Sequence, residues 1–200
     1  MSAPKTLLQM AGADGTPASL ATSTLVIIDA QNEYLDGKLA LPGVKPATEA
    51  LARLLAKARA AGAPVVHVVQ KGRPGGLFDL EARGGAVIDA VKQAAGEVTV
   101  QKPLPNAFAQ TDLDATLKKL GRTSLVIAGF MTHMCVSSTT RAALDLGYKT
   151  TVAGDAAATR DLPDPTGGSV IAADTLHRTA LAELADRFAV VTTVDQIPGT

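Results

Sequence analysis

The feature that most constrains this chain is a rhythm. From Thr24 onward, short β-branched and aliphatic runs alternate with longer stretches rich in Ala, Leu, Lys and Arg. The runs are Thr24–Ile28, Pro64–Gln70, Val98–Gln101, Ser124–Gly129, Lys149–Ala153 and Ala189–Thr192. They are nearly continuous rather than alternating, which suits strands covered on both faces. Between them the spacing predicts helices over Pro46–Ala61, Ala86–Ala95, Thr111–Leu120, Met134–Leu146 and Gly168–Leu184. Repeated βα units wind into a parallel sheet, so the expected fold class is α/β, a three-layer αβα arrangement around a six-stranded parallel sheet.

Local signals support these boundaries. In the first helix Leu51, Leu54, Leu55 and Ala58 share a face, with Arg53, Lys57 and Arg59 as its basic complement. Gly62 and Gly147 are placed to end helices in a left-handed conformation. Asp112 and Asp114 fall where the third helix starts and its dipole favours negative charge. Residues 1–22 have no sustained period and are expected to form an arm that wraps another surface or is partly mobile; 23–200 form the domain.

Composition narrows the function. Lys+Arg and Asp+Glu number 19 each, and aromatic residues make up 3% with no Trp. Nucleic-acid binding by clustered positive charge or by base stacking is therefore not expected. A hydrophobic fraction of 46% excludes disorder. The lone Cys135 excludes an internal disulfide framework and a multi-Cys zinc site. No signal-peptide core opens the chain and its apolar runs are strand-sized, so no membrane association and a cytoplasmic location are expected.

Three residues stand where chemistry is placed in such folds. Asp29 follows the first strand, Lys102 follows Val98–Gln101 and precedes Pro103, and Cys135 stands six residues after Gly129 at a helix start. Each should lie at the carboxyl edge of the sheet, where open α/β folds bind ligands. Alone, Asp29 could merely bond loop amides, Lys102 could be solvated, and Cys135 could be a small buried side chain. Together they supply an acid/base, a cation and a nucleophile, with amides of the Phe130–Cys135 turn available as an oxyanion hole. A helix N-terminus lowers a thiol's pKa, so the sulfur is expected to be ionised at neutral pH.

These positions carry a resemblance. Asp29-x-Gln31-Asn32-x-Tyr34, Lys102 with Asn106-Ala107-Phe108, and Gly129-Phe130-Met131-Thr132-His133-Met134-Cys135-Val136 are similar, in order and spacing, to the isochorismatase-like cysteine hydrolases. Thr139, Arg141, Ala142, Gly147-Tyr148 and Asp155-Ala156 extend it, from about Leu25 to Val194. The resemblance implies a catalytic set of Asp29, Lys102 and Cys135 and an oxyanion hole from the Met131 and Cys135 amides. It also implies a cis peptide before Met131, a pocket walled by Tyr34 and Phe108 with Gln31 as a further substrate-binding residue, and a homo-oligomer. Family nicotinamidases hold a metal after the second strand. Here that stretch reads His67-Val68-Val69-Gln70-Lys71-Gly72-Arg73 without an Asp/His cluster, so neither a metal nor another cofactor is expected.

The expected activity is cysteine-dependent hydrolysis of a small carboxamide or ureido compound through an acyl-enzyme. Two alternatives stay open: a vinyl-ether hydrolase needing Asp29 but not Cys135, and a catalytically inert oligomeric binding protein. Arg141 and Asp145 are spaced for an ion pair, and His177 reads as a surface or subunit-contact residue. Lys71, Arg73 and Arg160 could hold a substrate carboxylate from their loops. His133, two residues before Cys135, points elsewhere than a Cys–His dyad would need.

Overall fold

The computed structural model describes residues 3–200; Met1 and Ser2 of the expected arm lie outside the described residues. Six strands form the sheet: β1 (Ser23–Ile28), β2 (Val65–Gln70), β3 (Val98–Lys102), β4 (Ser124–Phe130), β5 (Lys149–Ala158) and β6 (Val190–Thr192). Their order is β3-β2-β1-β4-β5-β6, and all neighbours are parallel. The chain winds outward from β1 in one direction and from β4 in the other. The crevice between these two strands is the switch point of the fold.

Four helices flank the sheet: α1 (Val44–Ala60), α2 (Leu113–Leu120), α3 (Ser137–Asp145) and α4 (Ala173–Arg187). On one face, Leu51, Leu54 and Leu55 of α1 pack against Leu25, Ile27, Val126 and Ala153. On the other, Leu113 and Leu117 of α2, Ala143 of α3 and Leu184 of α4 cover Val26, Ile28, Val68 and Ile127. Each large aliphatic side chain buried this way contributes about 1.5–3 kcal/mol. Gly62 and Gly147 take φ of 65° and 86° just past helix ends, as their positions in the sequence predict.

Three expectations are corrected. Ala86–Ala95 is not an α-helix: Val87 bridges Gln31, the Ile88 amide donates to the Ala30 carbonyl, and only Asp89–Val91 form a 3-10 turn. Pairing with the segment after β1 outweighs local helix propensity there. The last helix begins at Ala173, not Gly168, because Val170–Ile171 pair with Leu162–Pro163 in a short ladder and Asp161 accepts from the Ala173 amide. The arm lies along its own domain. Leu7 donates to Asp186 on α4, Ala18 donates to Thr151 on β5, and Leu20 is fully buried. Finally, Arg141 pairs with Glu183 and lies over the Phe188 ring, rather than bridging to Asp145.

At the switch point the main chain is unusually close. Gly129 has φ of 115°, and a Cβ built there would stand 2.0 Å from the Ile28 carbonyl oxygen. Only glycine fits this approach. Beyond Ile127 the β4–β5 pairing slips, so that Gly129 faces Ala157. This shift carries β5 five residues past the expected Ala153. Among the described residues, no helix is long and apolar enough to cross a membrane.

Candidate active site

Three strand ends build the site. Asp29 follows β1 with φ of 50°; its amide still donates to Val68 on β2 while its carbonyl accepts from the Gln31 amide. The chain thus turns sharply and leaves the carboxyl group in the crevice. Lys102 closes β3, beside Gln70 in the β2–β3 register. Cys135 sits in a single π-helical turn, Thr132–Val136, that leads from β4 into α3. The peptide bond from Phe130 to Met131, at the entrance to this turn, is cis.

The side chains converge. Lys102 Nζ lies 2.8 Å from Asp29 Oδ2 and donates to Cys135 Sγ at 3.3 Å and to Gln70 Oε1 at 2.6 Å. Asp29 and Lys102 are fully buried and Cys135 is 4% exposed. An ammonium has three protons, and here each faces one acceptor. A buried charge needs this compensation to be tolerated.

Protonation follows from burial. Removal from water raises the Asp29 pKa, against the opposing pull of Lys102. Burial and then the Asp29 carboxylate push the Cys135 thiol up to about 12, again with Lys102 pulling down. The expectation of an ionised resting sulfur is corrected. The π turn is short, and burial beside a carboxylate outweighs what a helix start offers. Both shifts favour the protonated forms, and the Asp29 carboxyl and the Cys135 thiol lie close enough for each to act on the other.

The remaining expected residues separate. Tyr34 is 2% exposed, packs edge-on against Phe78 and Phe130 at 5.0 and 5.9 Å, and lies close enough to Asp29 and Cys135 for both to act on its hydroxyl. Burial foremost, then those two groups, raise its pKa. Phe108 stacks on Tyr148 at 5.9 Å and packs against the cluster that contains Cys135. Gln31 is corrected. It is fully buried, its amide nitrogen donates to the Gln70 and Gly85 carbonyls, and its oxygen accepts from the Gln70 amide. With both donors spent it braces β2 against the 83–86 loop and has no proton left for a substrate.

Sequence reading missed Gln70. It is the polar residue ending an apolar strand, the same signal that marked Asp29 and Lys102, and it accepts from Lys102 while donating to the Pro103 carbonyl. His67 is a core residue bonded to Glu97. His133 makes no dyad with the thiol; its Nδ1 meets Thr159 Oγ1. His177 is half-buried, and its Nδ1 lies 2.8 Å from Thr132 Oγ1 in the π turn. Lys71 and Arg73 are exposed, whereas Arg160 is half-buried near Tyr34 and His133, its Nε without a partner among the described residues.

A family model for the isochorismatase domain matches residues 23–196. The chain belongs to the isochorismatase family. It is similar to the secreted isochorismatase effector Isc1 of Verticillium dahliae, at 39% identity covering 90% of this chain and 92% of that one. The ureidoacrylate amidohydrolase RutB of Methylobacterium radiotolerans is 30% identical, covering 87% and 77% respectively. A crystal structure of an isochorismatase from Pseudomonas putida KT2440 superposes with a TM-score of 0.93 at 42% identity, covering 98% and 100%. This isochorismatase-family chain is a hydrolase of a group that includes amidohydrolases acting on C–N bonds.

Proposed function

We propose that this family member is a cysteine-dependent amidohydrolase acting on a small carboxamide or ureido compound. The observation that carries the reading is the buried contact of Lys102 Nζ with both Asp29 Oδ2 at 2.8 Å and Cys135 Sγ at 3.3 Å. As the sulfur attacks the substrate carbonyl, its proton passes to Asp29 and the C–S bond forms. Lys102 stays charged throughout and offsets the negative charge, which moves from carboxylate to carbonyl oxygen. The Met131 and Cys135 amides receive that oxyanion. Protonated Asp29 then gives its proton to the departing nitrogen as the C–N bond breaks. Water, deprotonated by Asp29, cleaves the thioester and regenerates the thiol.

Tyr34 walls the carbonyl's side of the pocket, and Phe108 remains part of its expected outer wall. Arg160 supplies a cation for a substrate carboxylate, a feature that the ureidoacrylate named for RutB carries. The exposed Met10, Leu146 and Val170 offer apolar contacts for the homo-oligomer.

Screening small amides and ureido acids by ammonia release tests this reading, with intact-protein mass as a second channel. The expected result is turnover with a transient mass increase on Cys135, and a Cys135→Ala variant that folds but loses at least about 10⁴-fold in kcat. An alanine variant that still cleaves a vinyl ether at the parent rate would point instead to chemistry without the thiol.

A further inference from the structure

The π turn that bears Cys135 is held from outside by two threonine–histidine contacts with the roles exchanged. Thr132 of the turn meets His177 of α4, its Oγ1 2.8 Å from Nδ1. His133, the next residue, meets Thr159 just past β5 through Nδ1 and Oγ1. Thr132 and Thr159 are buried at 0% and 2% exposure. The imidazole of His177 also faces the Gly154 carbonyl on the slipped stretch of β5. At the turn's own backbone the Met131 carbonyl accepts from both the Met134 and Val136 amides, at 3.1 and 3.2 Å, and the Ser137 amide donates to the Thr132 and Met134 carbonyls. Single π turns are rare and are found frequently at functional sites, so what fixes their orientation matters.

The sulfur has its own anchor in Lys102, whereas the amides at the two ends of this turn have none from that ammonium. We propose that His177 and Thr159 are positioning residues, which clamp the turn so that the Met131 and Cys135 amides aim at the developing oxyanion. The proposal rests on the acyl-enzyme reading above and adds the parts that keep its oxyanion site rigid. Two reagents divide the labour. p-Nitrophenyl acetate acylates a thiol through a tetrahedral oxyanion; iodoacetamide alkylates it by displacement at saturated carbon, with no oxyanion to stabilise.

The experiment compares both rates on the wild type, His177→Ala, His177→Asn and Thr159→Val. Acylation is expected to fall about 10- to 100-fold in His177→Ala, below the cost of deleting an oxyanion donor outright. Alkylation should stay within about twofold, and His177→Asn, whose amide oxygen can stand near the place of Nδ1, should recover most of the loss. Thr159→Val gives the same reading from the other contact if the alanine variant does not fold. Unchanged acylation in His177→Ala and Thr159→Val, or acylation and alkylation falling in step, overturns the clamp. A wild type that iodoacetamide modifies but p-nitrophenyl acetate does not would overturn the acyl-enzyme reading itself.

Discussion

Two carboxylates lie against the same half of the sheet and behave in opposite ways. Glu97 accepts from Arg59 Nε and Nη2 at 2.8 and 3.0 Å, from the Ala94 amide at 2.8 Å, and shares a 2.8 Å contact with His67 Nε2. Burial alone would raise its pKa, but Arg59, the Ala94 amide and His67 together outweigh that and lower it to about 2. An ionised carboxylate can only accept, so His67 Nε2 carries the proton in this pair. Asp29, in contrast, is fully buried; one ammonium, one thiol and the Gln70 amide do not offset that burial, and its pKa is raised. The lesson concerns saturation. A carboxylate whose lone pairs are filled is a fixed strut; one left short of donors keeps an affinity for a proton and can work as a base.

The contrast breaks most visibly at its cation. Lys102→Met leaves Asp29 buried without an opposite charge, a loss of about 3–5 kcal/mol. Melting followed by circular dichroism should show a fall of about 10 °C for a chain of this size. Amide hydrolysis should drop by at least about 10³-fold. A variant that keeps its melting point would mean that Asp29 simply binds a proton there, erasing the distinction drawn above.

A middle-sized effect sharpens it through pH. In the proposed mechanism the base form of Asp29 is the active one, and its pKa is raised above 3.8. The acid limb of kcat/KM should therefore lie above that of an ordinary aspartate, falling about tenfold per pH unit below it. Because the Cys135 thiol sits at about 12, no second limb from free-thiol ionisation should appear between about pH 7 and 9. A limb in that window, absent from a Cys135→Ser control, would place the proton differently.

The smallest effect belongs to the strut. Glu97→Gln should cost about 1–2 kcal/mol at neutral pH in urea denaturation and leave kcat unchanged. Its folded pKa of about 2 lies below 4.5, so the stabilisation is present above 4.5 and fades as pH falls toward 2. The variant's stability should lose that acid dependence. A changed kcat would show that the two clusters communicate.

Much of this was written in the order of the residues. Asp29 follows a strand, Lys102 ends one and Cys135 stands in the turn after one, and strand ends are where parallel sheets gather their chemistry. Gln70 carried the same mark and was passed over because an amide suggests no reaction on its own. Gln31 was placed at the pocket by its motif, yet motifs do not reveal which donors are already spent. The helix expected over Ala86–Ala95 and the direction of the thiol's pKa shift failed for a shared reason. Both depend on neighbours remote in sequence, Ala30 and Gln31 in one case and Asp29 in the other. The pairs Thr132–His177 and His133–Thr159 join residues 45 and 26 positions apart, and no local pattern announces them.

The contact of Gly129 with Ile28 sets the spacing between the acid-bearing and thiol-bearing strands by backbone alone. Reaction geometry is thereby uncoupled from the loops that meet the substrate. Engineers can redraw the rim around Arg160 and the 71–85 segment, while the reactive floor keeps its dimensions as a machinist's gauge block would.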